Sequence, residues 1–199
     1  RMGLDVQEEH FYTSALATAE FIAAQMPGAK AYVIGEPGLY NALYDRGITL
    51  SDINPDYVVM GESPNYNYDA ICKAVHLVQK GARFIGCNSD LTGPTEEGLV
   101  PSCRALVAPI EMATGQQAYF IGKPNPLMMR TGLKLLGVHS QDAAIIGDRM
   151  DTDIVAGIES GLDTLLVLSG VTTREEMERF PYRPRLILNG VGEIPPGEA

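Results

Sequence analysis

Residues 143–154 of the chain read AAIIGDRMDTDI. The apolar run that opens this stretch is typical of a strand buried on both faces of a parallel sheet. Gly147 lets the backbone turn where the run ends, and Asp148 follows at the strand end, where open parallel sheets bind their ligands. With Asp153 further along, two carboxylates become available for a hard cation such as Mg²⁺. Spacing alone leaves equal room for a plain strand–turn–helix unit in which Asp153 lies in the first turn of the helix.

A second stretch, residues 117–124 with the sequence QAYFIGKP, is also strand-like and also contains glycine followed by one charged residue, Lys123. A helical apolar run follows over residues 127–136. The sequence therefore places a lysine and a pair of aspartates at the ends of two successive strands of one βαβ unit. An ammonium group suits phosphoryl oxygens and carboxylates suit Mg²⁺, so the pattern indicates a site for a phosphate and a metal ion.

The two stretches belong to a longer set of motifs. The set consists of GKP at 122–124, GDRMDTDI at 147–154, AG at 156–157, Gly161 and the apolar run at 165–170. These motifs resemble the third and fourth motifs of the haloacid dehalogenase (HAD) superfamily, and the nearest match is its NagD-like or p-nitrophenyl phosphatase branch. The resemblance extends from Gly3 to about Ile194. It implies an α/β fold: a HAD-like Rossmannoid core with a parallel sheet, and an inserted α/β cap domain of the C2 type.

The resemblance also implies roles for particular residues. Lys123 would hold the transferring phosphoryl group, Asp148 would bind Mg²⁺, and Asp153 would bind Lys123 or a metal-bound water. An exposed lysine and ordinary turn carboxylates are the structural alternatives, and Asp151 fits a solvated turn as well as it fits the site. Asn125 is a candidate for substrate binding, although capping the helix that follows is the simpler role for it.

In the implied cap domain, the turn at residues 88–90 resembles the Thr-Asn-Pro-Asp-like turn of the family. This turn and the polar loop at 62–68 both follow predicted strands. Either would contact the leaving group of the substrate, and Asn88 and Asp90 are the candidate binding residues. Ordinary turn chemistry is an equal alternative for both side chains.

The first HAD motif, Asp-x-Asp-Gly, does not occur in the sequence. In the family its first aspartate is the nucleophile and its second is the general acid or base. The only Asp-x-Asp is at residues 151–153, and we reject it as the nucleophile because the apolar run ends at Gly147 and leaves Asp151 in a turn. The segment at 12–14 is a candidate for the second motif, but Ser14 is better explained as a helix N-cap.

The start of the chain, residues 1–6, resembles the end of the helix that follows the second motif. We therefore expect the nucleophile to lie upstream of Arg1 and the 199 residues alone to be inactive. A missing core strand beside Asp148 would expose an apolar sheet edge, which favours aggregation or strand swapping.

The function implied by the resemblance is Mg²⁺-dependent hydrolysis of small phosphomonoesters, such as nucleotide or sugar phosphates, through an aspartyl-phosphate intermediate. The alternative is a truncated, non-catalytic HAD-like chain that binds phosphate or metal only weakly. A nucleotide-binding Rossmann protein is a poor third interpretation, because no GxGxxG follows a predicted strand.

The composition restricts the setting in which the protein works. The formal charge of −10 argues against a surface for nucleic acid or anionic membrane. Three widely spaced cysteines without a CxxC pair indicate reduced thiols in a cytoplasmic protein, and scattered histidines argue against a histidine metal site. The sequence shows neither a signal peptide at its start nor an apolar run long enough for a transmembrane helix. The expected partners are a small phosphorylated substrate and, by resemblance, a second copy of the chain.

Strands alternate with helices along the whole sequence, which predicts an α/β architecture. By resemblance, residues 1–29 and 118–199 would form the core and residues 30–117 the cap. The local pattern also predicts a strand at 10–13, a helix at 15–26 capped by Ser14, a long loop at 91–101 and a helix at 152–160.

Overall fold

The computed structural model describes residues 6–194. The contacts within the chain define two compact units, with the boundary between Gly122 and Lys123. The helix end predicted at the start of the chain lies mostly outside the described range. The division into a core at 1–29 and 118–199 and a cap at 30–117 stays a prediction.

The first unit alternates helices with short strands. After a 3-10 turn at Glu8–His10, its elements are α1 (Ser14–Gln25), β1 (Lys30–Ile34), α2 (Pro37–Asp45), β2 (Thr49–Leu50), β3 (Tyr57–Met60), α3 (Tyr68–Gln79), β4 (Arg83–Gly86), β5 (Thr92–Thr95), β6 (Gly98–Pro101), α4 (Cys103–Thr114) and β7 (Tyr119–Phe120).

Five of these strands form one sheet in the order β2-β1-β3-β4-β7, and every neighbouring pair is parallel. Helix α1 packs against α2, and α3 packs against α4. The central strand β3 is buried along its whole length, as expected when helices cover both faces of a parallel sheet. The apolar runs at β1, β3 and β4 therefore become largely buried strands, whereas the outer strands β2 and β7 stay partly exposed.

The strand predicted to precede Lys123 forms as β7. It pairs with β4 through Ile85↔Tyr119 and Gly86↔Phe120, and so completes the sheet of the first unit. Gly86 faces the Phe120 ring so closely that an added Cβ would lie within 3.0 Å of ring atoms. The glycine therefore allows the aromatic side chain to lie flat across the neighbouring strand.

The predicted strand at 10–13 is wrong. The His10 N–H donates to the Gln7 carbonyl (3.1 Å) and the Phe11 N–H donates to the Glu8 carbonyl (3.0 Å), which closes a 3-10 turn instead. The Gln7 N–H also donates to His10 Nδ1 (2.9 Å). The residue that caps α1 is Thr13, whose Oγ1 accepts from the Leu16 N–H (3.3 Å). Ser14, the predicted cap, is already inside the first turn of the helix.

The predicted loop at 91–101 is also wrong. Strands β5 and β6 form an antiparallel hairpin there, paired from Thr92↔Pro101 to Thr95↔Gly98. Gly98 has a φ of 126°, a left-handed backbone conformation that favours glycine. The two prolines and two glycines of this segment resemble a loop in composition, yet they occupy turn and edge positions of the hairpin.

The second unit is smaller and has a parallel three-stranded sheet. Its elements are α5 (Pro126–Leu136), a 3-10 turn at Ser140–Asp142, β8 (Ala144–Gly147), a π-helical turn at Met150–Ile154, α6 (Val155–Ser160), β9 (Asp163–Val167), α7 (Arg174–Met177), β10 (Leu186–Leu188) and a 3-10 turn at Val191–Glu193. The strand order is β10-β9-β8. Its core is formed by the buried Met150, Ile154, Leu166 and Met177.

The helix predicted at 152–160 forms in two parts. A π-helical turn occupies Met150–Ile154, and regular α-helix begins only at Val155. Within α6, Gly157 lies against the side chains of Ile145 and Thr164, and a Cβ at that position would come closer than 3.0 Å to both. This close packing brings α6 against β8 and β9, and the π-helical turn at Met150–Ile154, hereafter the wide turn, connects β8 to α6.

Strand β8 is an outer strand of this sheet, since no other described strand pairs with its far side. Strand β7 belongs to the sheet of the first unit, so the prediction that the strands before Lys123 and Asp148 form one βαβ unit is wrong. Ala144 is exposed and Ile146 is 43% exposed. The prediction that this apolar run is buried on both faces is therefore wrong for the described part of the chain, where β8 is a partly exposed apolar edge.

Candidate active site

The centre of the site in the second unit is an ion pair between Lys123 and Asp153. Lys123 Nζ lies 2.5 Å from Asp153 Oδ1, and the Arg149 N–H donates to Asp153 Oδ2 (3.1 Å). The Asp153 side chain is 5% exposed and that of Lys123 is 39% exposed. A carboxylate buried to this extent needs charged and hydrogen-bonded partners, and here each oxygen has one. The ammonium group is therefore fixed from its buried side and still reaches solvent.

The wide turn after β8 explains how Asp153 comes back to the strand end. The N–H groups of its last two residues, Asp153 and Ile154, both donate to the Arg149 carbonyl (3.1 Å each). The Asp153 side chain then lies over Gly147, where a Cβ would come closer than 3.0 Å to the carboxylate. Position 147 therefore requires glycine because a side chain would clash with the Asp153 carboxylate. The sequence had indicated Gly147 only as a turn residue.

Asp148 is the first residue after β8 and is half-buried. Its Oδ2 accepts from the Val171 N–H (2.8 Å), and its main-chain carbonyl accepts from the Thr172 N–H (3.0 Å). The sequence analysis missed Val171 and Thr172 because both act through the main chain. The available signal was their position just after β9, the parallel neighbour of β8.

Asp151 lies in the same turn but points to solvent. Its side chain is 50% exposed, and both carboxylate oxygens contact the Arg149 guanidinium at 3.3 Å. Asp151 is thus a half-exposed turn carboxylate paired with an arginine whose side chain is only 14% exposed.

Asn125 is the N-cap of α5. Its Oδ1 accepts from the Leu127 N–H (3.0 Å), and Pro126 occupies the first helical position, where its missing N–H costs nothing. The capping role proposed from the sequence is confirmed, while substrate binding by Asn125 stays a prediction.

Asn88 and Asp90 lie in the first unit, in the turn that follows β4. Asn88 Oδ1 accepts from the Asp90 N–H (3.1 Å), and Asn88 Nδ2 donates to Glu62 Oε1 (3.4 Å). The same Glu62 oxygen accepts from the buried Ser102 hydroxyl, and the Arg104 N–H donates to the Asp90 carbonyl (3.0 Å). The turn chemistry is therefore present, and substrate binding by Asn88 and Asp90 remains a prediction. Ser102 was missed in the sequence, although its place before a helix is a capping signal.

The described residues contain no group of three His, Cys, Asp or Glu side chains arranged to hold a metal ion. Asp148 nevertheless fits a hard cation, because carboxylate oxygen is the ligand type that Mg²⁺ prefers. The hydrogen bond from Val171 holds the carboxylate through Oδ2. Within this part of the chain, Asp148 would be the residue that holds the ion.

Comparison with known proteins identifies the family of the chain. Residues 120–194 match the HAD-hydrolase-like family model. The chain is 46% identical to dihydroxyacetone phosphatase of Corynebacterium glutamicum over 96% of its own length and 70% of that protein. It is 45% identical to ribonucleotide monophosphatase NagD of Escherichia coli over 96% of its own length and 75% of that protein.

Solved structures give the same result. NagD from E. coli superposes with a TM-score of 0.88 at 45% identity, covering 97% of this chain and 76% of that one. A 4-nitrophenylphosphatase from Thermotoga maritima superposes with a TM-score of 0.91 at 34% identity, covering 96% of this chain and 74% of that one. The fold is therefore the α/β fold of the HAD hydrolases. The chain belongs to the NagD-like branch of the HAD phosphatases, as the motifs indicated. No helix among residues 6–194 has the length and apolar character needed to cross a membrane.

Proposed function

We propose that this protein is a Mg²⁺-dependent phosphatase that hydrolyses small phosphomonoesters through an aspartyl-phosphate intermediate. The observation that carries the proposal is the Lys123–Asp153 pair, with Asp148 directly after β8 in the same unit. The sequence contains no Asp-x-Asp-Gly, so the proposal assigns the nucleophile to an aspartate upstream of Arg1.

In this mechanism the phosphoryl group lies in line between the attacking carboxylate and the leaving oxygen. The Lys123 ammonium stabilises the charge on the phosphoryl oxygens, and the buried Asp153 keeps that ammonium oriented before substrate arrives. Asp148 holds the cation, and Mg²⁺ when bound supplies further positive charge for the same oxygens. Water then hydrolyses the acyl phosphate and releases inorganic phosphate.

The names of the relatives support small phosphomonoesters as the substrate class. They include dihydroxyacetone phosphatase, ribonucleotide monophosphatase, acid sugar phosphatase and 5'-nucleotidase. These substrates share a terminal phosphate and differ in the leaving group. We propose that residues 30–117 form the cap that selects it, with Asn88, Asp90 and the loop at 62–68 as its contacts.

The proposal also includes a cytoplasmic location and a homo-oligomer. The formal charge of −10 supports a soluble acidic enzyme that binds neither nucleic acid nor anionic lipid.

The test is hydrolysis of p-nitrophenyl phosphate by the full-length gene product, with and without Mg²⁺. We expect Lys123→Ala and Asp148→Ala each to lower kcat by at least about 100-fold, because the first removes a positive charge from the phosphoryl oxygens and the second removes the ligand of the cation. Lys134→Ala is the matched control, since this exposed lysine lies in the last turn of α5, and it should keep wild-type activity. A folded full-length protein that hydrolyses no small phosphomonoester would favour the non-catalytic alternative.

A further inference from the structure

The turn that follows β9, residues 170–172, lies beside the end of β8. Strands β8 and β9 are parallel and in register from Ala144↔Asp163 to Gly147↔Leu166. The segment after β9 therefore emerges at the same edge of the sheet as Asp148. In open parallel sheets this is the edge where ligands bind.

Three hydrogen bonds connect this turn to the Asp148 carboxylate and to the main chain of Asp148 and Met150. The Val171 N–H donates to Asp148 Oδ2 (2.8 Å) and the Thr172 N–H donates to the Asp148 carbonyl (3.0 Å). The Met150 N–H in turn donates to Thr172 Oγ1 (3.2 Å). Thr172 is 6% exposed, so its hydroxyl serves the backbone and not solvent. The turn thus holds the main chain on both sides of Arg149 as well as the Asp148 carboxylate.

Gly170 adds a steric element to these bonds. A Cβ at this position would come closer than 3.0 Å to the Cβ, Cγ and Oδ2 of Asp148. The φ of Gly170 is outside the left-handed region, so the backbone conformation does not itself call for glycine. Position 170 requires a residue without a side chain, because the carboxylate of Asp148, the candidate metal ligand, lies where a Cβ would be.

We propose that Gly170, Val171 and Thr172 form a positioning turn that fixes the Asp148 carboxylate for the cation. These residues touch neither substrate nor metal and act through Asp148. The inference rests on the proposed function, in which Asp148 binds Mg²⁺. Groups that orient a metal ligand typically contribute about 10- to 100-fold to metal affinity.

The experiment is metal titration of the full-length protein, by calorimetry with Mg²⁺ and by electron paramagnetic resonance with Mn²⁺ as the probe. We expect Gly170→Ala to weaken metal binding by about 10- to 100-fold, since the methyl group displaces the carboxylate. Thr172→Val should weaken binding by about 10-fold, and Thr172→Ser should restore it because the hydroxyl is retained. Gly132→Ala, at a helical glycine with open space around it, is the matched control and should bind as wild type.

Thermal unfolding of the metal-free variants shows whether a loss of metal affinity comes from misplacement of Asp148 or from loss of the fold. If Gly170→Ala does not fold, Thr172→Val provides the test. If Asp148→Asn abolishes binding while folded Gly170→Ala and Thr172→Val bind like wild type, the positioning turn is disproved and the proposed function stands. If Asp148→Asn binds metal as tightly as wild type, Asp148 is not the ligand, and both the positioning turn and the metal role in the proposed function fail.

Discussion

At the scale of single residues, two glycines define where the two carboxylates of the site lie. Asp153 fills the space beside Gly147, and Asp148 fills the space beside Gly170. The sequence indicates Gly147 as a turn residue, but it does not show that either glycine faces a carboxylate. That relation depends on the register of β8 and β9 and on the wide turn at Met150–Ile154.

Gly147→Ala should therefore affect catalysis through Asp153 and Lys123. A displacement of about 1 Å in a positioning group can cost about 100-fold in rate, so we expect kcat to fall by about that factor. Metal affinity should change less than in Gly170→Ala, because the added methyl group faces Asp153 and not Asp148. Steady-state kinetics and metal titration on the same samples measure the two effects. If Gly147→Ala lost as much metal affinity as Gly170→Ala, the assignment of Gly147 to Asp153 and of Gly170 to Asp148 would be contradicted.

The cysteines provide a second prediction at this scale. Burial raises the pKa of the Cys87 thiol to about 12 and that of the Cys103 thiol to about 11. Because thiolate is the reactive form, iodoacetamide at about pH 8 should label half-buried Cys72 first, with Cys87 and Cys103 reacting after denaturation. Mass mapping of labelled peptides measures this order, and labelling of native Cys87 as fast as Cys72 would contradict it.

The same raised pKa values set the sign of a pH effect on stability. Above the ordinary thiol pKa of 9.0, the unfolded chain loses protons that native Cys87 and Cys103 keep. The native state then binds more protons than the unfolded state, so the free energy of unfolding falls as the pH rises through this range.

At the scale of elements, the exposed edge at β8 has a consequence for assembly. Ile146 is 43% exposed on this strand, and an open apolar edge can pair with another chain. We expect the 199-residue chain to self-associate, and Ile146→Lys to reduce the association because a charged edge opposes pairing. Light scattering across a concentration series measures this. Ile158→Lys, at a similarly exposed isoleucine on α6, is the control that should leave association unchanged.

A monomeric wild-type chain at all concentrations would contradict the edge prediction. A loss of association in Ile158→Lys equal to that in Ile146→Lys would assign the effect to general surface charge and not to β8.

The elements also show what the sequence can predict. Periodicity located the strands β3 and β8, but burial on both faces was predicted correctly only for β3, because β8 is an outer strand whose Ile146 stays 43% exposed. It failed at the β5–β6 hairpin, where exposed glycine and proline give no apolar alternation. It also failed at residues 10–13, where the 3-10 turn at Glu8–His10 and the N-cap of α1 at Thr13 leave no strand.

At the scale of the whole molecule, the NagD-like HAD family is established by relatives that match nearly the whole chain. The Lys123–Asp153 contact is one of the two arrangements that the motif implied for Asp153, and the catalytic roles of both residues stay predictions. The main-chain donors of Val171 and Thr172 were not predictable, because a backbone N–H is present at almost every position and only the fold selects which one faces Asp148.

The most direct test of the proposed mechanism is to identify the phosphorylated residue. The full-length protein would be mixed with p-nitrophenyl phosphate and Mg²⁺, quenched in acid and analysed by intact mass and peptide mapping. We predict one phosphoryl group on an aspartate that lies outside residues 1–199. The Lys123→Ala variant should carry no phosphoryl group. A phosphoryl group on Asp151 or Asp153, or catalytic turnover with no phosphorylated protein, would contradict the mechanism.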